Sequence, residues 1–345
     1  MQNTKNSLDY KILSTKIIYT LNILTKYLKN KINNLIADEK FSEILTGSAW
    51  ALGARVITTG LVMIISILIT RLYGAKMMGI VAMVQSFLGL TTIFTILGTN
   101  NAILRLIPEH ISKYSPASAF RVYRKTQHLV AGVSTVTGSL MFLFSDLIAE
   151  KVFFKPHLSF FLAMASVFVV FLSLMNLNIQ AVRGLRLIRT FALMQIMPAV
   201  SNLLILAGAT WFFFNPNNPI YALFASFLIT ALTGAMIMDI EFKKKMQPSD
   251  VVKIMPVKDI LQISVPMLMT STMTFLIGQT GVLMLGMFRT EAEVGYYAIA
   301  VKLATLTSFV LTAINSMAAP KFSELFHSRN MDQLFYVAQK STKLI

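Results

Sequence analysis

Two basic residues, Arg55 and Lys302, stand inside long apolar runs, where a charge is expensive to place. A cation held there suits pairing with a phosphate or another anion, Arg through two parallel hydrogen bonds and Lys as a point charge. The same side chain near the end of a run can simply reach back to water, and the sequence leaves both readings open. Uncharged polar residues also interrupt the runs: Gln85, Asn176, Asn178, Gln180, Gln195, Asn202, Gln279 and Asn315. Such groups suit sugar hydroxyls along a cavity, or bonds between helices worth about 0.6 kcal/mol each. Gln85, Gln279 and Asn178 join Arg55 and Lys302 as candidate ligand contacts. Catalysis finds no support. The chain lacks cysteine, its four histidines are far apart, and neither a Walker sequence nor a Gly-x-Ser-x-Gly elbow occurs. No metal or cofactor is expected.

These residues must be positioned by membrane helices. Hydrophobic residues make up 55% of the 345 and charged ones 13%, and the mean hydropathy is +0.65. A soluble domain is nearer a quarter charged, and disorder needs low hydrophobicity. A span needs about 20 apolar residues, and eight runs qualify: 47–70, 79–98, 126–149, 157–178, 191–214, 219–239, 260–288 and 297–319. Backbone in lipid must satisfy its own hydrogen bonds, so the runs are predicted to be helices and the chain all-α. Tyr73-Gly74, Lys155-Pro156 and 215–219 carry turn chemistry. Pro198 and Pro266 are candidate kinks or hinges, and Gly47, Ala51, Ala54 and Gly60 would let a first helix pack closely.

Assigning Lys and Arg to alternate sides of eight spans puts 24 on one side and five on the other, with Arg55 and Lys302 inside the runs. The positive-inside rule then places both termini in the cytoplasm. The net charge of +16 reads as this orientation signal and not as a nucleic-acid surface. Residues 1–45 form a basic segment whose Leu13, Ile17, Leu21, Leu24, Leu28, Ile32 and Leu35 recur at helical spacing. That stripe fits an amphipathic helix on the inner membrane face, or one packed on cytoplasmic loops. The expected organisation is this segment, a six-helix lobe over 46–240, a basic linker over 241–258, and the first two helices of a second lobe over 259–345.

The second lobe is inferred from a repeat. Residues 44–95 align without gaps on 260–311, pairing Ile44-Leu45 with Ile260-Leu261, Ser48 with Ser264, Thr58 with Thr274, Gly79 with Gly295, Ala82 with Ala298 and Thr91 with Thr307. Six spans separate the copies, so both face the same way, as in parallel repeats related by an axis along the membrane normal. A complete second lobe would need six spans, so the chain reads as truncated after the eighth.

The first copy carries Gly47-Ser48-Ala49-Trp50, then Ile69-Thr70-Arg71-Leu72-Tyr73-Gly74-Ala75-Lys76-Met77-Met78-Gly79, then Leu97-Gly98-Thr99-Asn100-Asn101-Ala102-Ile103-Leu104-Arg105. The second carries Ser264-Val265-Pro266, Glu293-Val294-Gly295-Tyr296-Tyr297-Ala298 and Ala319-Pro320-Lys321-Phe322. Over about residues 41–330 the chain resembles the lipid-linked oligosaccharide and polysaccharide flippases of the multidrug/oligosaccharidyl-lipid/polysaccharide exporter superfamily. The resemblance implies two six-helix bundles in a V, a central cavity and alternating access in a bacterial-type inner membrane. It also implies a polyprenyl-diphosphate-linked sugar as substrate, with membrane lipids and the envelope polysaccharide assembly machinery as partners. Two alternatives stand beside it. One is a multidrug or cation antiporter of the same fold, which needs a buried carboxylate; all fifteen acidic residues lie in loops or near span ends, Asp146 and Asp239 deepest. The other is a truncated membrane fragment that does not transport.

Overall fold

A computed structural model describes residues 39–248 and 250–306, with six further positions between 331 and 339. The amphipathic stripe of Leu13 to Leu35, Asn315 and Ala319-Pro320-Lys321-Phe322 lie outside the described residues. Contacts divide the chain into Met1–Trp50 and Ala51–Ile345. The described part of the first unit, 39–50, is helical; the account below concerns the second.

Among the described residues eight α-helices carry the fold: α1 Glu39–Ile96, α2 Thr99–Lys113, α3 Pro116–Leu143, α4 Ser159–Gly184, α5 Ile188–Phe212, α6 Asn218–Lys245, α7 Val257–Phe288 and α8 over 291–306. Among the described residues there is no strand. Five helices are long and apolar enough to cross a membrane, and a sixth crossing arises if α3 and Ser145–Val152, bent by 65°, form one span. The first of the five, Ala49–Ile96, has 48 residues. That is about 72 Å at 1.5 Å per residue, more than twice the roughly 30 Å hydrocarbon layer.

Gly74 resolves this excess. It leaves the helix at φ 84°, ψ 165°, a conformation that favours glycine. Val62 and Gln85 lie on either side of it, about 35 Å apart along a straight helix, yet both line one cavity of about 160 Å³. α1 therefore folds back at Gly74 into two arms, and each is long enough to span. The hydropathy runs 47–70 and 79–98 correspond to these arms. The helical backbone continues to the turn itself because the charges Arg71 and Lys76 interrupt only the apolar run.

The remaining helices alternate in direction, as successive spans must. One buried cluster draws Leu177, Ala181 and Val182 from the end of α4, Phe191 and Met194 from the start of α5, Met238 and Phe242 from the end of α6, and Ile260 from the start of α7. The other cluster gathers the opposite ends around Ile69, Met78, Phe153, Leu158, Leu206, Ile220 and Val294. The molecule thus has a Gly74 end and an opposite end. Between helices in lipid, packing and hydrogen bonds hold the bundle, since lipid tails are as apolar as the side chains.

Three boundaries differ from the hydropathy reading. α3 starts ten residues before the run at 126 because Ser115 caps it, accepting a bond from Ser118 N at 3.1 Å, and Pro116 sits at the first turn. α2 is a short amphipathic helix that no span-length window detects; its buried stripe is Ala102, Ile103, Leu106, Ile107 and His110. α8 begins at 291, six residues before its apolar run. The expectation for Gly60 also fails, since nothing lies within 4 Å of where a Cβ would stand.

At the opposite end, the chain after α6 straps onto the α2–α3 corner. Ser115 Oγ donates to Val251 O at 2.7 Å, Ser118 Oγ to Lys253 O at 3.0 Å, and Lys125 Nζ to Met255 O at 2.9 Å. Arg124 grips Asp239 with bonds of 2.6 and 2.7 Å, which explains how a charged α3 turn stays helical next to the bundle.

Candidate functional site

The second arm of α1 and α8 run side by side in the same direction. At the Gly74 end their backbones touch. A Cβ on Gly79 would stand 1.7 Å from Glu291 O, and one on Gly295 would stand 2.4 Å from Ala75 O. The contact is reciprocal under the repeat, which pairs Gly79 with Gly295 and Ala75 with Glu291. Only glycine allows helix backbones this close.

Two turns further along, the helices part around two cavities. The smaller, about 160 Å³, lies between both arms of α1, α5 and α6, with Thr58, Ser66, Gln195, Pro198 and Asn202 among its walls. The larger, about 320 Å³, lies between the second arm, α7 and α8 and includes Ser86, Gly89, Phe275 and Gln279. Val62, Gln85 and Lys302 line both. Among the described residues, Lys302 is the one charged residue in either lining and no carboxylate lines either.

Lys302 Nζ donates to Ser66 Oγ at 2.8 Å, and Ser66 passes its own hydrogen to Val62 O at 2.7 Å. Ser86 Oγ donates to Gln279 Oε1 at 2.8 Å. Gln195 Oε1 and Asn202 Oδ1 are buried without a donor among the described residues.

Position separates the two candidate cations. Lys302 follows the start of α8 by eleven residues, about 16 Å along the helix. Arg55 lies nineteen residues before Gly74, about 28 Å away along the first arm. It is exposed and lines neither cavity. The structure thus brings Lys302, Gln85 and Gln279 together and leaves Arg55 apart.

Asn178 is also apart. It is fully buried, accepts from Tyr123 OH at 2.8 Å and donates to Ala231 O at 3.1 Å. Both ends of its amide serve to join α3, α4 and α6. Pro198 lies in a wall of the smaller cavity; Pro266, within α7, lines neither. The sequence reading passed over Ser66 and Ser86 as site residues. The repeat held a signal, since it pairs Ser86 with Lys302; Ser86 donates to Gln279 on α7 and Lys302 donates to Ser66 on the first arm of α1.

A family model described as "Polysaccharide biosynthesis protein" matches residues 44–326. The chain belongs to this family. Its fold is that of transporters of the MOP superfamily. An outward-facing multidrug resistance MATE family transporter of that superfamily shares 14% identity at a TM-score of 0.56, over 88% of this chain and 68% of its own. A MOP superfamily transporter from Pyrococcus furiosus, described as having a binding pocket of reverse polarity, shares 15% identity at 0.50, over 85% of this chain and 69% of its own. At such identities the likeness speaks to fold alone. No curated protein matches.

Proposed function

We propose that this member of the polysaccharide biosynthesis family translocates a lipid-linked oligosaccharide or polysaccharide precursor across a bacterial-type plasma membrane. The first six crossings form one lobe, α7 and α8 open the second, both termini are cytoplasmic, and the two lobes rock to expose the cavity alternately. The observation that supports the reading is the ammonium of Lys302 in cavities where, among the described residues, no carboxylate lines the wall. Such a pocket matches an anion such as the diphosphate of a polyprenyl-linked sugar, and Gln85 and Gln279 offer amides to its hydroxyls. A cationic drug would meet an uncompensated like charge there, so the antiporter reading is disfavoured. Envelope polysaccharide assembly enzymes are the corresponding partners.

Complementation of flippase-deficient cells with the full-length gene tests this. Losing one charge-assisted hydrogen bond of about 1.5–3 kcal/mol corresponds to roughly a 10- to 150-fold weaker hold on the precursor. Lys302→Ala should therefore abolish complementation at normal precursor levels, Lys302→Arg should retain it, and Arg55→Ala should leave it intact. Full complementation by Lys302→Ala, with normal amounts of protein in the membrane, would refute the assignment.

A further inference from the structure

We propose that Lys302 is a latch between the two lobes and that an anion in the larger cavity opens it; the inference rests on the anion-binding reading above. Lys302 belongs to α8, whereas its acceptor Ser66 belongs to the first arm of α1. The bond therefore ties the lobes together. It lies two turns beyond the Gly79–Gly295 contact, about 10 Å along α8. A second tie sits at the same level, because Ser86 on the second arm of α1 reaches Gln279 on α7. Under the repeat Ser86 and Lys302 are equivalent positions. The seam thus has a glycine contact at the Gly74 end and two crosswise bonds further in, one neutral and one charged.

The two ties respond differently to an anion. The neutral bond gains nothing from a phosphate nearby. The ammonium exchanges a neutral hydroxyl acceptor for a charged one, which makes a shorter and stronger bond. Lys302 is a wall of both cavities, so it can turn from Ser66 toward the larger cavity without α8 moving. Once it leaves, Ser66 keeps its bond to Val62 O and remains satisfied, so unlatching strands no buried hydroxyl hydrogen. A ligand shifts a conformational equilibrium only by its differential affinity, and here that difference is the bond Lys302 can make with the anion only after releasing Ser66.

The test uses the full chain in nanodiscs. The sequence has no cysteine, so spin labels can be placed at Leu72→Cys and Phe288→Cys, two exposed positions at the Gly74 end of the first arm and of α7. The distance between them is measured by double electron–electron resonance. Three probes are compared: soluble pyrophosphate, a polyprenyl diphosphate in neutral lipid, and phosphatidylglycerol nanodiscs. At least one should lengthen the distance, and the one that does identifies the source of the anionic group. Ser66→Ala, which removes the acceptor and spares Lys302, should show the longer distance without any probe while still binding the anion. Lys302→Ala should show it too and bind at least tenfold more weakly. A parent distance that no probe changes, or a Ser66→Ala distance equal to the parent's, overturns the latch. If Lys302→Ala loses anion binding but keeps the parent's distance, the latch fails and the binding reading survives. If it takes the longer distance with binding unchanged, the Lys302–Ser66 bond ties the helices but the anion does not open it, and the proposal fails together with the binding role of Lys302.

Discussion

Replacing Gly79 by alanine tests the seam directly. The added methyl carbon would stand 1.7 Å from Glu291 O and 2.6 Å from Glu291 C. Both are backbone atoms of a helix, so no side chain can swing away. The second arm and α8 must separate by more than about 1 Å, and a gap of 0.5–1 Å already forfeits a quarter to a half of each contact's attraction. Overpacking of this kind costs about 1–3 kcal/mol. Gly295→Ala meets Ala75 O at 2.4 Å and should cost less. Gly53→Ala and Gly60→Ala are matched controls, with nothing within 4 Å of the new carbon. They should be neutral or slightly stabilising, since alanine is the better helix former. The assay is thermal unfolding of the detergent-solubilised full chain. Each kcal/mol should move the midpoint by up to roughly 2–4 °C, ranking Gly79→Ala below Gly295→Ala and both below the controls. A Gly79→Ala midpoint equal to that of Gly53→Ala would refute the backbone contact.

Three further outcomes are expected. Asn178→Ala should destabilise by about 1–3 kcal/mol because it leaves the Tyr123 hydroxyl buried without an acceptor, yet leave anion affinity unchanged; adding Tyr123→Phe should recover part of the loss, read by unfolding midpoints. Burial holds the His110 imidazole below its ordinary value, against the opposing pull of Glu109 and with the help of Lys113. The folded value thus lies below the unfolded one of about 6.5, so the stability it contributes is complete above that pH and falls as pH drops through the folded value. His110 Nδ1 lies 3.0 Å from Ser118 Oγ; the unfolding midpoint should fall over that window, and His110→Gln should flatten the response. Finally, Lys244→Cys should resist an impermeant thiol reagent in intact cells; labelling there would invert the proposed orientation.

Much of the architecture was legible in the sequence because lipid imposes one requirement on every span, a long run without charge. Helix ends were less legible because helices outlast their apolar runs. Arg121 and Arg124 depress hydropathy before 126, yet Ser115 and Pro116 start α3 and Asp239 neutralises Arg124. α2 was missed because its 15 residues are too few for a span and its stripe of Ala102, Ile103, Leu106 and Ile107 appears only at helical spacing. Gly79 and Gly295 were visible as a matched pair. What the alignment could not supply was their mutual contact, which depends on α1 folding back at Gly74.

The site shows where a rule about polar residues in apolar runs loses its power. Gln85, Gln279, Asn178, Arg55 and Lys302 all satisfy that rule, but it ignores which way a helix faces and where it begins. Facing separates Asn178, whose amide is spent on Tyr123 and Ala231, from Gln85, which borders both cavities. Position separates the two cations. An arginine about 28 Å from the Gly74 turn can keep its charge in water by extending along the helix. Lys302, about 16 Å along α8, instead takes a partner from the protein, the hydroxyl of Ser66 on the first arm of α1. On the proposed anion-binding reading, a neutral hydroxyl partner suits a cation that must be released to a charged acceptor, because the charged acceptor makes the shorter and stronger bond.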